Sequence, residues 1–438
     1  MTELFERAAF YGMFISLTMY LTDTVGFSDI EAGFIGAFFS SGLYVLPLFA
    51  GALADKIGYR KSLMLAFALM TIGYFTLAAL PQQVPVVIAL LAFIMVGGAF
   101  IKSVITGTVA KSSNEKNRAR AYSIFYSIVN VGAFTGKLIA KPIRTGIDLG
   151  PLGNFSIGIE YIGYYSATMT FIALVIVFFM FKNIDTKQTS KSIQDLIKGF
   201  KHLIAQPRLW VLILIISGFW LIQHQMYASM PKYIVRMVGE DAAPEWYANI
   251  NPAMVMIFVM LVSRWTKNLK AVTTMTIGMV LMPFSVFFMS AGPLLQGYTG
   301  DSISFGFTAL HPIALMMVMG IAFQGFAECF ISPRYLEFFS LQSPKGEEGM
   351  YLGFAHLHSF VANFIGFGMS GILLDSYCPN PNKPELVGLS PEQLAPYYEH
   401  AHYIWYVFAG IGLLSAVSLI IYSKVLKRID AKKEAAAV

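Results

Sequence analysis

Charge is what this chain has least of. Only 13% of its 438 residues are Asp, Glu, Lys or Arg, about half the share in a typical soluble domain. That shortage excludes a protein that must cover itself with solvated side chains. Cysteine is scarce too: Cys329 falls in an apolar stretch and Cys378 in a loop, so no disulfide framework is implied. There is no His-Glu-x-x-His, no Gly-x-Ser-x-Gly and no phosphate-binding loop, which argues against an enzyme. The first apolar segment has no basic leader and carries charges within it, so no cleavable signal is expected.

Hydrophobic length is present in excess. Of all residues 56% are hydrophobic, and runs of about 18 or more recur, each long enough to cross a hydrocarbon core of about 30 Å as a helix. Twelve spans are expected, at about 3–22, 30–54, 62–80, 84–110, 119–143, 161–181, 209–237, 245–263, 270–291, 309–340, 348–375 and 402–424. The expectation is an all-α membrane protein with two six-helix bundles, residues 1–183 and 209–438, the second ending in a basic tail. Between them a polar linker, 184–208, carries Ile193, Leu196, Ile197, Phe200 and Leu203 at helical spacing, which suggests an amphipathic helix on the membrane surface. Six plus six spans is the pattern of a transporter built from paired repeats, although no sequence repeat of 20–50 residues is visible.

The net charge of +6 reads as membrane topology rather than as nucleic-acid binding. With alternating loops, most of the 31 lysines and arginines fall on one side, including Lys56, Arg60, Lys61, Lys111, Arg118, Lys267 and Lys427. Lys141, Arg144, Lys232, Arg236 and Lys383 fall on the other. Such a bias places both termini in the cytoplasm and the protein, multi-pass, in the plasma (inner) membrane.

Several ionisable groups lie inside spans, where they are costly and mark functional sites by default. Glu3, Glu6 and Arg7 stand in span 1, with Glu3 and Arg7 four apart on one helical face. Lys102 stands in span 4, Lys137 in span 5, Glu328 in span 10. Lys137 is either a site residue or a snorkelling one. His356 and His358, two apart, are poorly placed to share a metal, and no metal site is expected.

Gly51-Ala-Leu-Ala-Asp55-Lys56-Ile-Gly58-Tyr-Arg60-Lys61 resembles the signature loop of the major facilitator superfamily, with Gly51, Asp55, Gly58 and Arg60 as its gating and fold positions. Glu3-Leu-Phe-Glu6-Arg7, followed by Phe10-Tyr11-Gly12-Met13, resembles the first-helix signature of the proton-coupled oligopeptide transporter (POT) family. Gly97-Gly98-Ala-Phe-Ile-Lys102-Ser103-Val, Phe125-Tyr126-Ser-Ile-Val-Asn130-Val-Gly132, Asn251-Pro252 and Phe326-Ala-Glu328-Cys-Phe-Ile-Ser332-Pro333 resemble its fourth-, fifth-, eighth- and tenth-helix motifs in order. Three departures stand out: Phe14 where an arginine is common, His224 where a seventh-helix acid is usual, and Ser103 for a proline. The linker is also too short for the two extra helices many bacterial relatives carry.

The resemblance implies the major facilitator fold and a secondary transporter, a proton symporter of di- or tripeptides working by alternating access. Protons are the expected coupling ion and no cofactor is expected; the expected partners are a short peptide and the bilayer, no nucleic acid, and the expected state is a monomer. Proton coupling would fall to Glu3, Glu6, Arg7, Lys102, His224 and Glu328. Substrate would meet Tyr11, Phe14, Tyr44, Lys102, Asn130, Lys137, His224, Asn251 and Glu328, with Glu328, Asn130 and Asn251 at its amino end. With Phe14 and His224 in place of a charged pair, the outer gate is expected to close on apolar packing. An unperturbed imidazole titrates near 6.5, so His224 is expected to make gating pH-sensitive. The alternatives are a carrier of another small solute or anion in the same fold, and a membrane sensor or scaffold.

Overall fold

The computed structural model describes residues 1–81, 84–112, 118–148, 154–155, 157–181, 201, 205–306, 309–343 and 348–436. The amphipathic helix expected in the linker therefore lies outside the described residues. The helices are α1 (Thr2–Met19, continued by a π-helical turn, Tyr20–Thr24), α2 (Asp29–Ile57), α3 (Tyr59–Ala79), α4 (Val84–Ser112), α5 (Arg118–Thr145) and α6 (Tyr161–Met180). There follow α7 (Pro207–Gln223), α8 (Gln225–Ala228), α9 (Met230–Val238), α10 (Pro244–Tyr247), α11 (Ile250–Trp265), α12 (Ala271–Ser290) and α13 (Gly292–Thr299). The chain ends with α14 (Pro312–Gln342), α15 (Glu348–Ala355), α16 (Leu357–Tyr377), α17 (Pro391–Tyr398) and α18 (Tyr403–Ala436). Two pairs of two-residue antiparallel strands, Ile147–Asp148 with Asn154–Phe155 and Ile303–Ser304 with Ala309–Leu310, close loops.

Among the described residues, ten helical stretches are long and apolar enough to cross a membrane. The α1 and α5 helices, 18 and 28 residues long, fall outside that set because ionisable and polar side chains sit inside them. Adding them gives the twelve expected spans. The burial pattern is the reverse of a soluble protein's: Phe179, Met260 and Leu414 are 77%, 68% and 69% exposed, while Glu6, Asp29, Glu245 and Lys137 are enclosed. Large exposed apolar side chains on nearly every helix are what a hydrocarbon solvent requires.

The chain forms two compact units. One holds Met1–Ile197, Met226–Asn249 and Asn363–Leu394; the other holds Lys198–Gln225, Ile250–Ala362 and Ala395–Val438. In the first, α1 packs on α5 and α6, α2 on α4, α3 on α4 and α6, and α10 on α5. In the second, α12 packs on α14 and α18, α11 on α14, and α7 on α18.

Two glycines determine how closely α1 meets α5. A Cβ at Gly132 would lie 2.6 Å from the Leu4 carbonyl oxygen, and one at Gly136 would lie 2.2 Å from that of Ala8. This small-xxx-small spacing lets the backbones touch, which compensates for the missing hydrophobic drive between helices in lipid. At the α2–α3 junction Gly58 adopts φ +89°, a conformation that favours glycine and allows α3 to start at once. The α2 helix begins on a capping box: Ser28 Oγ accepts from the Glu31 amide, and Glu31 Oε2 accepts from the Ser28 amide.

Candidate functional site

The first-unit site starts from α1. One turn of helix brings Arg7 over Glu3, with Arg7 Nε 3.2 Å from Glu3 Oε1, and Arg7 also donates to Glu6 Oε2. Glu6 is fully enclosed. The other oxygen of each acid, Glu3 Oε2 and Glu6 Oε1, is buried without a hydrogen-bond partner. The guanidinium lies 5.5 Å from the Phe10 ring centre. From α4, Lys102 comes within electrostatic reach of Glu6 and Arg7 and places its ammonium 4.0 Å from the centre of the Tyr44 ring. Tyr11, also within reach of Arg7 and Glu6, continues the line of polar groups along α1. Asn130, half-buried on α5, precedes Gly132 by two residues.

Lys137 is one of the largest enclosed side chains, 1% exposed. Its ammonium donates to the Ala248 carbonyl at 3.2 Å and lies 5.8 and 6.0 Å from the Tyr11 and Tyr227 ring centres. Snorkelling is therefore not what it does here. Phe14, where the resemblance led one to look for an arginine, sits in an aromatic cluster. Its ring lies 5.1 Å from Phe10, 4.9 Å from Tyr227, 5.8 Å from Phe367 and 6.3 Å from Phe39. The space left beside these rings, toward Tyr74 and Ile94, is about 10 Å³, room for at most one water.

The sequence reading missed a further cluster. Asp29, the first residue of α2, is enclosed against α9: Lys232 Nζ lies 2.6 Å from Oδ1, and Arg236 Nη1 and Nη2 lie 2.9 Å from Oδ2 and Oδ1. Arg236 also donates to the Cys378 carbonyl. A second ion pair joins α5 to α10, where Arg144 Nε meets the buried Glu245 at 2.6 Å and Nη2 donates to the Ala242 carbonyl at 2.6 Å. Fork-shaped guanidinium–carboxylate contacts of this kind are among the stronger polar contacts. The available signal was Lys232 and Arg236 four apart on one face of a short helix, with Asp29 just after a helix cap.

In the second unit α14 presents Glu328. Its Oε2 accepts from Gln223 Nε2 at 2.9 Å and from Asn251 Nδ2 at 3.4 Å, and Ser332 Oγ stands 3.5 Å from Oε1. Gly325 makes the meeting possible, since a Cβ there would stand 2.8 Å from the Asn251 carbonyl oxygen. Glu328 and Asn251, named from separate motifs, are thus one constellation. The seventh-span residue that reaches it is Gln223, not its neighbour His224. His224 ends α7 with its ring 5.8 Å from Trp220, and its Nδ1 finds no hydrogen-bond partner. His358 has both ring nitrogens partnered, by the Ala355 carbonyl and Ser359 Oγ.

At the signature loop, Gly51 lies against Ser103 and Arg60 donates to the Phe178 carbonyl. The Asp55 side chain is outside what the structure describes. Ser103 donates to the Pro47 carbonyl at 2.7 Å, tying α4 to α2 at a proline whose ring interrupts the helical ladder.

A sequence profile described as Major Facilitator Superfamily matches residues 2–300. The chain belongs to the major facilitator superfamily. It is therefore a multi-pass membrane transporter, not an enzyme. Among curated proteins it is 25% identical over 388 residues to the uncharacterized MFS-type transporter YttB of Bacillus subtilis (strain 168), covering 84% of this chain and 87% of that one. It is 21% identical over 378 residues to the multidrug resistance protein MdtH of Blochmanniella pennsylvanica (strain BPEN), covering 85% and 84%. Among solved structures, an auto-inhibited POT family peptide transporter aligns at TM-score 0.72 and 17% identity over 97% of this chain and 95% of that one. A structure described for substrate recognition in proton-dependent oligopeptide transporters aligns at 0.71 and 17% over 98% of each. The fold is thus that of major facilitator transporters, with twelve membrane-spanning helices.

Proposed function

We propose that this protein is a POT-type symporter that uses an inward proton gradient to carry short peptides or peptide-like zwitterions across the plasma membrane. The observation that carries the reading is the buried Glu3–Glu6–Arg7 cluster with Lys102 beside it. With both acids ionised the four charges cancel. A proton on Glu6 leaves one positive charge in excess and weakens one of the two carboxylate contacts that hold Arg7. Such a local charge change can bias a two-state protein between conformations.

The remaining roles follow the same chemistry. Glu328, held open by amide and hydroxyl donors but by no cation at salt-bridge distance among the described residues, suits a substrate ammonium. Lys102 and Tyr11 stand beside the proton cluster from α4 and α1, and Tyr44 of α2 lies against Lys102. The Asp29–Lys232–Arg236 and Arg144–Glu245 clusters close the outer gate in this state, with the termini in the cytoplasm and the chain working as a monomer. The first- and second-half bundles, joined by the 184–208 linker, rock about the substrate.

Uptake of dialanine into proteoliposomes, with and without an inward proton gradient, tests the reading. Accumulation above the external concentration only with the gradient supports it. A second reading, a proton-coupled carrier of another small solute, is favoured by Phe14, whose aromatic cluster stands where the resembled family carries an arginine. Gradient-driven uptake of a non-peptide solute with none of dialanine would select it.

A further inference from the structure

Residues 244–249 dock along one face of α5 by a series of separate ties. Asn249 Nδ2 donates to the Phe134 carbonyl at 3.3 Å and Trp246 Nε1 to that of Leu138 at 3.0 Å. Lys141 lies 5.3 Å over the Trp246 ring, and Arg144 holds Glu245. Positions 134, 137, 138, 141 and 144 recur at helical spacing, so they form a single stripe. In the middle of the stripe stands Lys137, bound to the Ala248 carbonyl.

Lys137 differs from the other ties in what it is offered. Arg144 meets a carboxylate; Lys137, more deeply enclosed, meets one neutral carbonyl and two tyrosine faces. An ammonium has three protons to donate, and burying it without an anion is costly. Hydrogen bonds from an ammonium to a carboxylate are shorter and about twice as strong as those between neutral groups. An anion that reaches Lys137 competes with the Ala248 carbonyl for the ammonium, and a side chain drawn toward the anion loosens its tie to the segment that covers it.

We propose that Lys137 binds the anionic group of the transported solute, and that this binding releases residues 244–249 from α5. The proposal deepens the transport reading and rests on it for the identity of the solute: the substrates are compounds bearing a carboxylate or a like anion.

Trp246, one residue from Glu245 and two from Ala248, reports the release. Its fluorescence, isolated as the difference between the intact protein and W246F, is titrated with sodium acetate and then with dialanine, against sodium chloride of equal ionic strength. Both carboxylates are expected to shift Trp246 emission saturably where chloride does not. K137Q should raise the half-saturating concentration at least tenfold, and K137R, which keeps the charge, should restore it to within about threefold. An unchanged titration in K137Q, or no response to either carboxylate in the parent, overturns the proposal. A Lys137-dependent acetate response in a protein that does not transport dialanine leaves the anion site standing and removes only the peptide reading.

Discussion

Glu6 is enclosed on every side, and one of its two oxygens has no hydrogen-bond partner. Adding a proton to it changes the charge balance of the cluster with Glu3, Arg7 and Lys102 by one. Glu6→Gln fixes the neutral state. It is expected to abolish uphill uptake while substrate exchange across the membrane stays within about fivefold of the parent; gradient-driven accumulation by the variant would remove Glu6 from coupling. Packing is as exacting as charge here. Gly136→Ala sets a methyl against the Ala8 carbonyl and should lower stability by about 1–3 kcal/mol, read as a fall in Tm. Gly410→Ala, with nothing within 4 Å of its new Cβ, should leave Tm unchanged or raise it slightly. The i,i+4 pair Glu3–Arg7 could be read directly from the sequence, because helical geometry alone makes it. Gln223 could not be told from His224, because one residue is 100° of helix and nothing local says which of the two faces Glu328.

The spans themselves were legible to within a few residues, since length and hydrophobicity suffice. Their interruptions were less so. The seventh span, expected as one run over 209–237, is three helices broken at His224 and Ser229, and the last of them, α9, carries Lys232 and Arg236. Their partner Asp29 is 203 residues from Lys232, so no local pattern could pair them. Removing one member of a buried ion-pair network leaves the others uncompensated and costs about 3–5 kcal/mol. Asp29→Asn should therefore free α9 from α2. Cys378, buried beneath Arg236, reports it: in a Cys329→Ser background, the rate of maleimide labelling should rise roughly 100-fold, as about 3 kcal/mol implies at 1.4 kcal/mol per tenfold. Labelling as slow as in the parent would show that the cluster does not hold the gate.

At the scale of the molecule, ionisable groups are concentrated where one chain segment meets another that is far away in sequence. Residues 226–249 and 363–394 belong to the same compact unit as the first 197 residues, joined by Asp29, Arg144 and Lys137 and by the approach of Gly371 to Asp29. Alternating access as proposed would break these ties in every cycle, and the Glu3–Glu6–Arg7 cluster on α1 sits one to two turns from Tyr11, whose ring centre lies 5.8 Å from the Lys137 ammonium. Coupling of the two is read from dialanine uptake into proteoliposomes held at equal membrane voltage, with and without an inward proton gradient. Accumulation above the external concentration is expected only with the gradient, with collapse to equilibration on adding a protonophore. Equal uptake under both conditions, by a preparation that binds the peptide, would contradict it.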